Sequence, residues 1–547
     1  MDLEHKKDIM PDSTFIGRKP ELKRIEALYK KKTPSLVVIK GRRRIGKSRL
    51  IREFAKAIGQ RGTTAKNAEI GVGKQCRQRF WSFAGLAPEN SISAQEQRDH
   101  FARQLALMLK IPPMTFQNWS DAFEHLGLHI KPGDIILLDE ISWMGSKDPS
   151  FIPKLKAWWD KQSTHMLLVF CGSVSTWIEE NILNSTAFFG RINLTISLEP
   201  LSIPESAEFL RALGMQLSDY DMYKVLSVVG GVPWYLEQFN PRVTADDNIK
   251  QLAFEKNGLL VTEFDRIFHD LFKDTVAERA SSRLRRTNDR SVLAVHEDHE
   301  DDENAEIGVP QQCVNGKGAT YKKILNSLKD GARTLSEIRE SIEFAHSGTL
   351  SQMMEHLIVA GFVIKQSLWS FKTSKPLKQS LYRISDPYMR FYLKLIEPNV
   401  CAIAEEGFDQ VPLSTMPGFD THMGLQLEAL LLQNRPLLLQ KLGISPVDIV
   451  RSGPYRQTTT TTQQGCQIDY LIQTKTNSLF VCEFKFKRRE INSEIITEMQ
   501  EKISRLKTPK GFAKIAVLFH LSGVSDSVAT SPYFYRIVDI VDFLEGN

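Results

Sequence analysis

The chain has 547 residues, 42% hydrophobic and 25% charged, with a formal net charge of +6. That length exceeds one hydrophobic core and points to about three or four domains, while no apolar run reaches the about 20 residues of a bilayer span, which excludes a helical membrane protein. So mild a charge permits contact with DNA without requiring it, and six cysteines with no CxxC pair (76, 171, 313, 401, 466 and 482) exclude a zinc ribbon or disulfide scaffold.

In chain order, MDLEHKKDIMPDSTF lacks an apolar segment followed by a small-residue cleavage site, so the expected location is the cytoplasm. To about residue 270, apolar runs (SLVVIK, DIILLDE, HMLLVFCGS, LTISLEPL) alternate with amphipathic stretches such as AQEQRDHFARQLALMLK. This predicts a parallel α/β sheet with flanking helices. Two segments break the pattern, about 58–79 and 275–317, and read as solvated insertions. They share NAEIGVGKQC (67–76) and NAEIGVPQQC (304–313), a repeat too isolated for a solenoid and expected as one element inserted at two tolerant surface sites, with a duplicated binding loop or a peptide epitope as the alternative.

Gly41-Arg-Arg-Arg-Ile-Gly46-Lys47-Ser48 follows a predicted strand and opens a predicted helix, the context that G-x-x-x-x-G-K-[ST] needs to cradle phosphates. The nucleotide-binding set is Gly41, Arg42, Arg43, Arg44, Ile45, Gly46, Lys47, Ser48 and Arg49, with Lys47 on the terminal phosphates and Ser48 on Mg²⁺. At the end of a buried strand, Asp139 supplies the second Mg²⁺ contact and Glu140 polarises the attacking water. Ser173 ends a third strand where a hydroxyl senses the terminal phosphate. Arg191 has two readings, a transition-state arginine in cis or across a subunit interface, and a surface arginine.

From about 318 the pattern turns helical: YKKILNSL, then a capping box at Thr334–Glu337, then TLSQMMEHLIVA and a hairpin from FVIKQSLWSF and SLYRIS. Three helices and a hairpin predict a winged helix-turn-helix. The third helix offers Gln352, Glu355 and His356 but no Arg or Lys, which favours a packing adaptor over DNA contact, since phosphate affinity needs cations.

The remainder, about 390–547, predicts a separate α/β domain with strands 466–473, 478–486 and AKIAVLFHLS. A turn centred on Thr476 pairs Gln473 with Leu479, Leu471 with Val481 and Asp469 with Glu483. Facing carboxylates repel unless a cation joins them, and Lys485 falls on their face by alternation. Ile468, Tyr470, Ile472, Phe480, Cys482 and Phe484 are assigned to the other face. A metal pair and a salt-bridged strand both fit these residues.

Phe15-Ile-Gly-Arg18-Lys-Pro-Glu21-Leu22, the Asp139-Glu140 strand and Gly231-Val232-Pro233 resemble the STAND ATPases of the AAA+ class. More closely, with RFWSFAGLAP, GGVPWYL and SDPYMRFYLKLIEPN, the chain is similar to a prokaryotic ATPase family that carries a winged helix and a C-terminal restriction-endonuclease-like domain. The resemblance implies that the first segment packs near the adenine and that Pro233 touches the nucleotide from a helical lid. It also implies that Glu428, Asp469 and Glu483 bind Mg²⁺ and that Lys485 assists phosphodiester cleavage, the PD-(D/E)xK pattern, with Ile468 where a proline is expected and Gln500 as a polar helper.

The expected architecture is an α/β P-loop NTPase (AAA+/STAND-like) core (1–200), a helical lid (201–274), a linker (275–317), a winged helix-turn-helix (318–389) and a nuclease-like domain (390–547). The expected function is an ATP- and Mg²⁺-dependent ATPase coupled to a nuclease-like domain, with DNA and a second copy of the chain as candidate partners. The alternative is a nucleotide-dependent interaction switch whose C-terminal domain only binds DNA or protein.

Overall fold

The computed structural model describes residues 15–64, 79–87, 92–173, 176–267, 317–344, 347–371, 373–408, 411–461 and 463–545. Both copies of the NAEIGV piece lie outside them, as does all of the expected linker except residue 317. Residues 58–64, assigned from sequence to the first insertion, instead continue the helix Lys47–Thr64. Among the described residues no helix is long and apolar enough to cross a membrane.

The chain divides into two compact units, one built on residues 18–199 and the other on 200–264 together with 324–545. Residues 200–264, read from the sequence as a separate lid, therefore fold in one body with the C-terminal residues.

In the first unit, β1 (Ser35–Gly41), β2 (Phe80–Ala84), β3 (Asp134–Asp139), β4 (Met166–Ser173) and β5 (Ile192–Leu198) form a sheet in the order β2-β3-β4-β1-β5. Every pairing is parallel. Leu36–Ile39, Ile135–Leu138 and Met166–Cys171 are each at most 2% exposed, which is why these strands read as continuous apolar runs. β5, at the edge, alternates. One layer is aromatic: Phe83 stacks on Phe101 at 4.2 Å, and Trp119 meets Phe151 edge-on at 4.9 Å. Asp134 is wholly buried and accepts from the Arg79 and Lys131 backbone N–H groups and from Trp81 Nε1 at 2.9 Å, fixing the start of β3 against β2.

In the second unit, the helix Ile203–Ala212 opens on a capping box of Ser202 and Glu205. Gln426 Nε2 donates to the carbonyls of Ser227 (2.9 Å) and Pro387 (2.6 Å), Tyr388 Oη to Leu260 O (2.7 Å), and the Ile203 N–H to Asn434 Oδ1 (3.1 Å). These buried bonds join residues 200–264, the SDPYMRF segment and the helix Phe419–Gln433 into one core.

Three helices (Lys317–Leu328, Leu335–Ser341, Ser347–Val359) accompany a small sheet in which β8 (Pro376–Ile384) pairs antiparallel with β6 (Arg333–Thr334) and β7 (Val363–Trp369). The Thr334–Glu337 capping box forms as its sequence predicts. Trp369 and Phe371, at the hairpin end, lie in the same core as Ile468, Leu471 and Val481, and Trp369 Nε1 donates to Gln473 Oε1 at 2.9 Å.

The last sheet has the order β13-β12-β11-β10-β9, from β9 (Ile449–Gln457), β10 (Cys466–Thr474), β11 (Ser478–Lys485), β12 (Ala513–His520) and β13 (Phe534–Asp539). β9, β10 and β11 are antiparallel, and β11, β12 and β13 parallel. The helix Glu494–Arg505 covers one face through Ile495 and Met499.

Candidate functional sites

The loop after β1 is shaped by two glycines. A Cβ on Gly41 would come within 2.7 Å of the Leu198 carbonyl, and Gly46 has φ 92°, a conformation other residues rarely adopt. Ile45 is fully buried and anchors the loop from below, while Arg18 Nη2 donates to the Ile45 carbonyl at 3.3 Å. Arg18 of the FIGR segment thus packs on the loop itself. Lys47 is 6% exposed and donates to the carbonyls of Gly41 (3.0 Å) and Arg42 (3.1 Å). Its hydrogen bonds go to neutral backbone oxygens, bonds that an anionic ligand can replace, while its charge acts on the nearby Glu140.

Ser48 Oγ donates to Asp139 Oδ2 at 2.6 Å. A hydroxyl and a carboxylate side by side are hard oxygen donors, so these residues fit Mg²⁺ beside phosphates. Glu140 follows with φ 48°, a left-handed conformation that costs energy for a non-glycine residue. It accepts from the Ser173 N–H at 3.2 Å. Burial raises the Glu140 pKa, opposed by the Lys47 charge and reinforced by Asp139.

The loop from Gly41 to Arg49, with Asp139, Glu140 and Ser173, is therefore gathered at the carboxyl ends of β1, β3 and β4. Arg191 is engaged elsewhere: its Nε and Nη2 form a fork on Asp160 at 2.6 and 3.1 Å, at the surface. Pro233 lies in the other unit, where it opens the short helix Pro233–Leu236.

In the C-terminal body the hairpin register matches the sequence expectation: Tyr470–Cys482, Leu471–Val481, Ile472–Phe480 and Gln473–Leu479 are paired. The ladder stops one step short of Asp469 and Glu483. A register shift against β9 between Ile468 and Leu471 puts an extra residue in β10, a bulge that redirects side chains. Two expectations change as a result. Ile468 joins the Leu471, Leu479 and Val481 core rather than the opposite face, and the Asp469 carboxylate accepts from the Phe484 N–H at 2.9 Å instead of lying in a ladder pair.

Glu483 is 6% exposed. Lys485 Nζ contacts its Oε1 at 3.1 Å and Glu498 at 2.9 Å, and Lys502 Nζ bonds its Oε2. Asp469 is pushed up to about 7, first by burial and then by the Glu483 and Glu428 charges, with Lys502 opposing. Glu428 is raised by burial against Arg383 and Arg390, and burial pulls both guanidinium groups down to about 10. Glu428, Asp469, Glu483 and Lys485 thus share one electrostatic neighbourhood.

The donor chemistry suits a hard cation, but the arrangement does not. Among the described residues no group of three or more His, Cys, Asp or Glu side chains is placed to hold a metal ion, and an ammonium already sits on Glu483. Gln500, the expected helper, is exposed, whereas Lys502 is the inward residue. The signal was present: Ile495, Met499, Lys502 and Leu506 follow the spacing of a buried helical stripe, with a lysine where an apolar residue is expected. Arg383 and Arg390 were missed because their partner Glu428 lies far along the chain.

Residues 15–239 match a family model described as an ATPase domain predominantly from Archaea. An uncharacterized protein of Methanocaldococcus jannaschii is 24% identical over 399 residues, 72% of this chain and 72% of that protein. Among solved structures, the Aeropyrum pernix ORC2 protein (ADPNP-ADP complexes) is 13% identical, covers 74% of this chain and 99% of its own, and has a TM-score of 0.41. Cdc6p from Pyrobaculum aerophilum is 12% identical, with coverages of 73% and 97% and a TM-score of 0.30. Scores of this size add nothing to the strand order. The match covers less than half of the chain and falls on the parallel-sheet fold with its P-loop, so residues 15–239 are similar to an archaeal-type ATPase domain.

Proposed function

We propose that the chain is an ATP-binding, Mg²⁺-dependent ATPase of the AAA+/STAND kind, whose nucleotide state is read out by a C-terminal nuclease-like body. The observation that carries it is Lys47 resting on its own loop carbonyls beside the Ser48–Asp139 pair. On this reading Lys47 exchanges those carbonyls for the terminal phosphates, and the loop N–H groups cradle the rest. Glu140, bonded to the Ser173 N–H, orients the attacking water, and Ser173 reports the terminal phosphate to it. Bound Mg²⁺ supplies charge neutralisation at the phosphates.

Lys47→Ala is expected to lower ATP turnover on the order of 100-fold or more, with matching loss of nucleotide binding. Turnover at the wild-type rate in that variant refutes the assignment.

Within the second body, the order helix, β6, helix, helix, β7, β8 supports a winged helix over 318–389. Burial of Trp369 and Phe371 in the C-terminal core supports its use as an adaptor, because the hairpin that would approach DNA is occupied in packing. The β10–β11 hairpin, with Asp469, Glu483, Lys485 and Glu428, supports a PD-(D/E)xK-like domain over 390–547, for which metal-dependent DNA cleavage is the implied reaction. One observation favours the second reading, an interaction switch with a non-cleaving C-terminal module: the Lys502 ammonium on Glu483.

A further inference from the structure

We infer that Lys502 is the resident cation of the Glu428–Asp469–Glu483 cluster and keeps a divalent metal out of it. The inference rests on the nuclease-like reading of residues 390–547, in which those carboxylates are a cation site.

Three observations carry it. The first is contact: Glu483 has one ammonium on each oxygen, Lys485 on Oε1 and Lys502 on Oε2. Lys485 comes from the same strand and divides its charge with the exposed Glu498. Lys502 arrives from a different element, the helix Glu494–Arg505, and bonds Glu483 from outside the strand that carries it.

The second is placement. Lys502 follows Ile495 and Met499 on the face that packs against the sheet, and its side chain is 22% exposed against 8% for Glu483. A lysine on that stripe is held to the acid by the docking of its helix rather than by a chance surface encounter. An ion pair so shielded resists competition, because separating it leaves a buried charge unpaired.

The third is how the acids are arranged. A hard divalent cation takes several oxygen ligands at once, yet no three acids are arranged to share one among the described residues. Protein cations already compensate the cluster, and Lys502 is the one brought to it by a separate helix. The cation position is therefore filled by the chain itself, and metal uptake requires Lys502 to leave.

The test is Mn²⁺ binding to the full chain without nucleotide, followed by calorimetry, in the wild type, Lys502→Met, Lys502→Gln and each combined with Glu483→Gln. Lys502→Gln keeps a polar head if the methionine variant folds poorly. The expected result is a Mn²⁺ site at least about 10-fold tighter in the Lys502 variants and lost again with Glu483→Gln, since a unit charge 4–6 Å away shifts a neighbouring ionisation by about 10- to 1,000-fold. A wild type that binds Mn²⁺ through Glu483 as tightly as the variants overturns the role of Lys502 and leaves the metal reading standing. No Glu483-dependent binding in any of them overturns both.

Discussion

The P-loop site and the C-terminal cluster each bring a lysine close to acidic side chains, and they use it in opposite ways. Lys47 is buried yet bonded only to neutral carbonyls, and the neighbouring carboxylate, Asp139, is held by a hydroxyl. Lys502 is bonded directly to a carboxylate. The first arrangement leaves positive charge for an anion, the second has spent it internally. On the proposed function, similar residue types thus give one site open to a ligand anion and another already compensated, and the difference lies in which partner the fold bonds to the ammonium.

The largest effect bears on how firmly the second site is built. Trp369 is 3% exposed, sits in the core under β10 and β11 and bonds Gln473. Trp369→Ala is expected to destabilise the C-terminal body by about 3–5 kcal/mol, read by denaturant unfolding, and to leave nucleotide affinity unchanged. A loss below about 1 kcal/mol means that the hairpin is not part of that core.

A smaller effect separates the two sites by pH. Asp469 has its pKa pushed up to about 7, above the unfolded value of about 3.9. The folded chain therefore holds the extra proton between about pH 4 and 7, and stability falls as pH rises through that window. Asp469→Asn removes this ionisation and should gain stability over the wild type between pH 5 and pH 8, by about 1 kcal/mol after discounting for solvent and the nearby lysine. A stability difference that does not change with pH contradicts the raised carboxyl.

The smallest effect concerns Arg191. Its fork on Asp160 is at the surface, so Asp160→Ala is expected to change ATP turnover by less than about twofold. A large, concentration-dependent rise instead makes Asp160 a latch on an arginine that works in a second copy.

The grouping of the Gly41–Arg49 loop with Asp139, Glu140 and Ser173 was legible in the sequence because its parts are local: a strand, a loop of fixed spacing, and an acid at the end of an apolar run. The hairpin register was legible for the same reason, since one turn fixes every pair. The bulge at Asp469 was not, because it arises against β9, and β9 itself hides behind Gly453 and Pro454, residues that argue against a strand unless it lies at an edge. Nor was the union of residues 200–264 with the C-terminal body, which depends on Gln426 and Tyr388 reaching carbonyls far away in sequence. Lys502 stands between these cases: its place on the stripe could be read, its partner could not.

The central claim is that Glu140 acts on water at a nucleotide held by the Lys47 loop. Its most direct test is ATP binding and hydrolysis measured in parallel for the wild type and Glu140→Gln. The account predicts unchanged ATP affinity with turnover lowered by about 100-fold or more, the range for loss of a positioned acid-base group. Equal turnover in both proteins contradicts it.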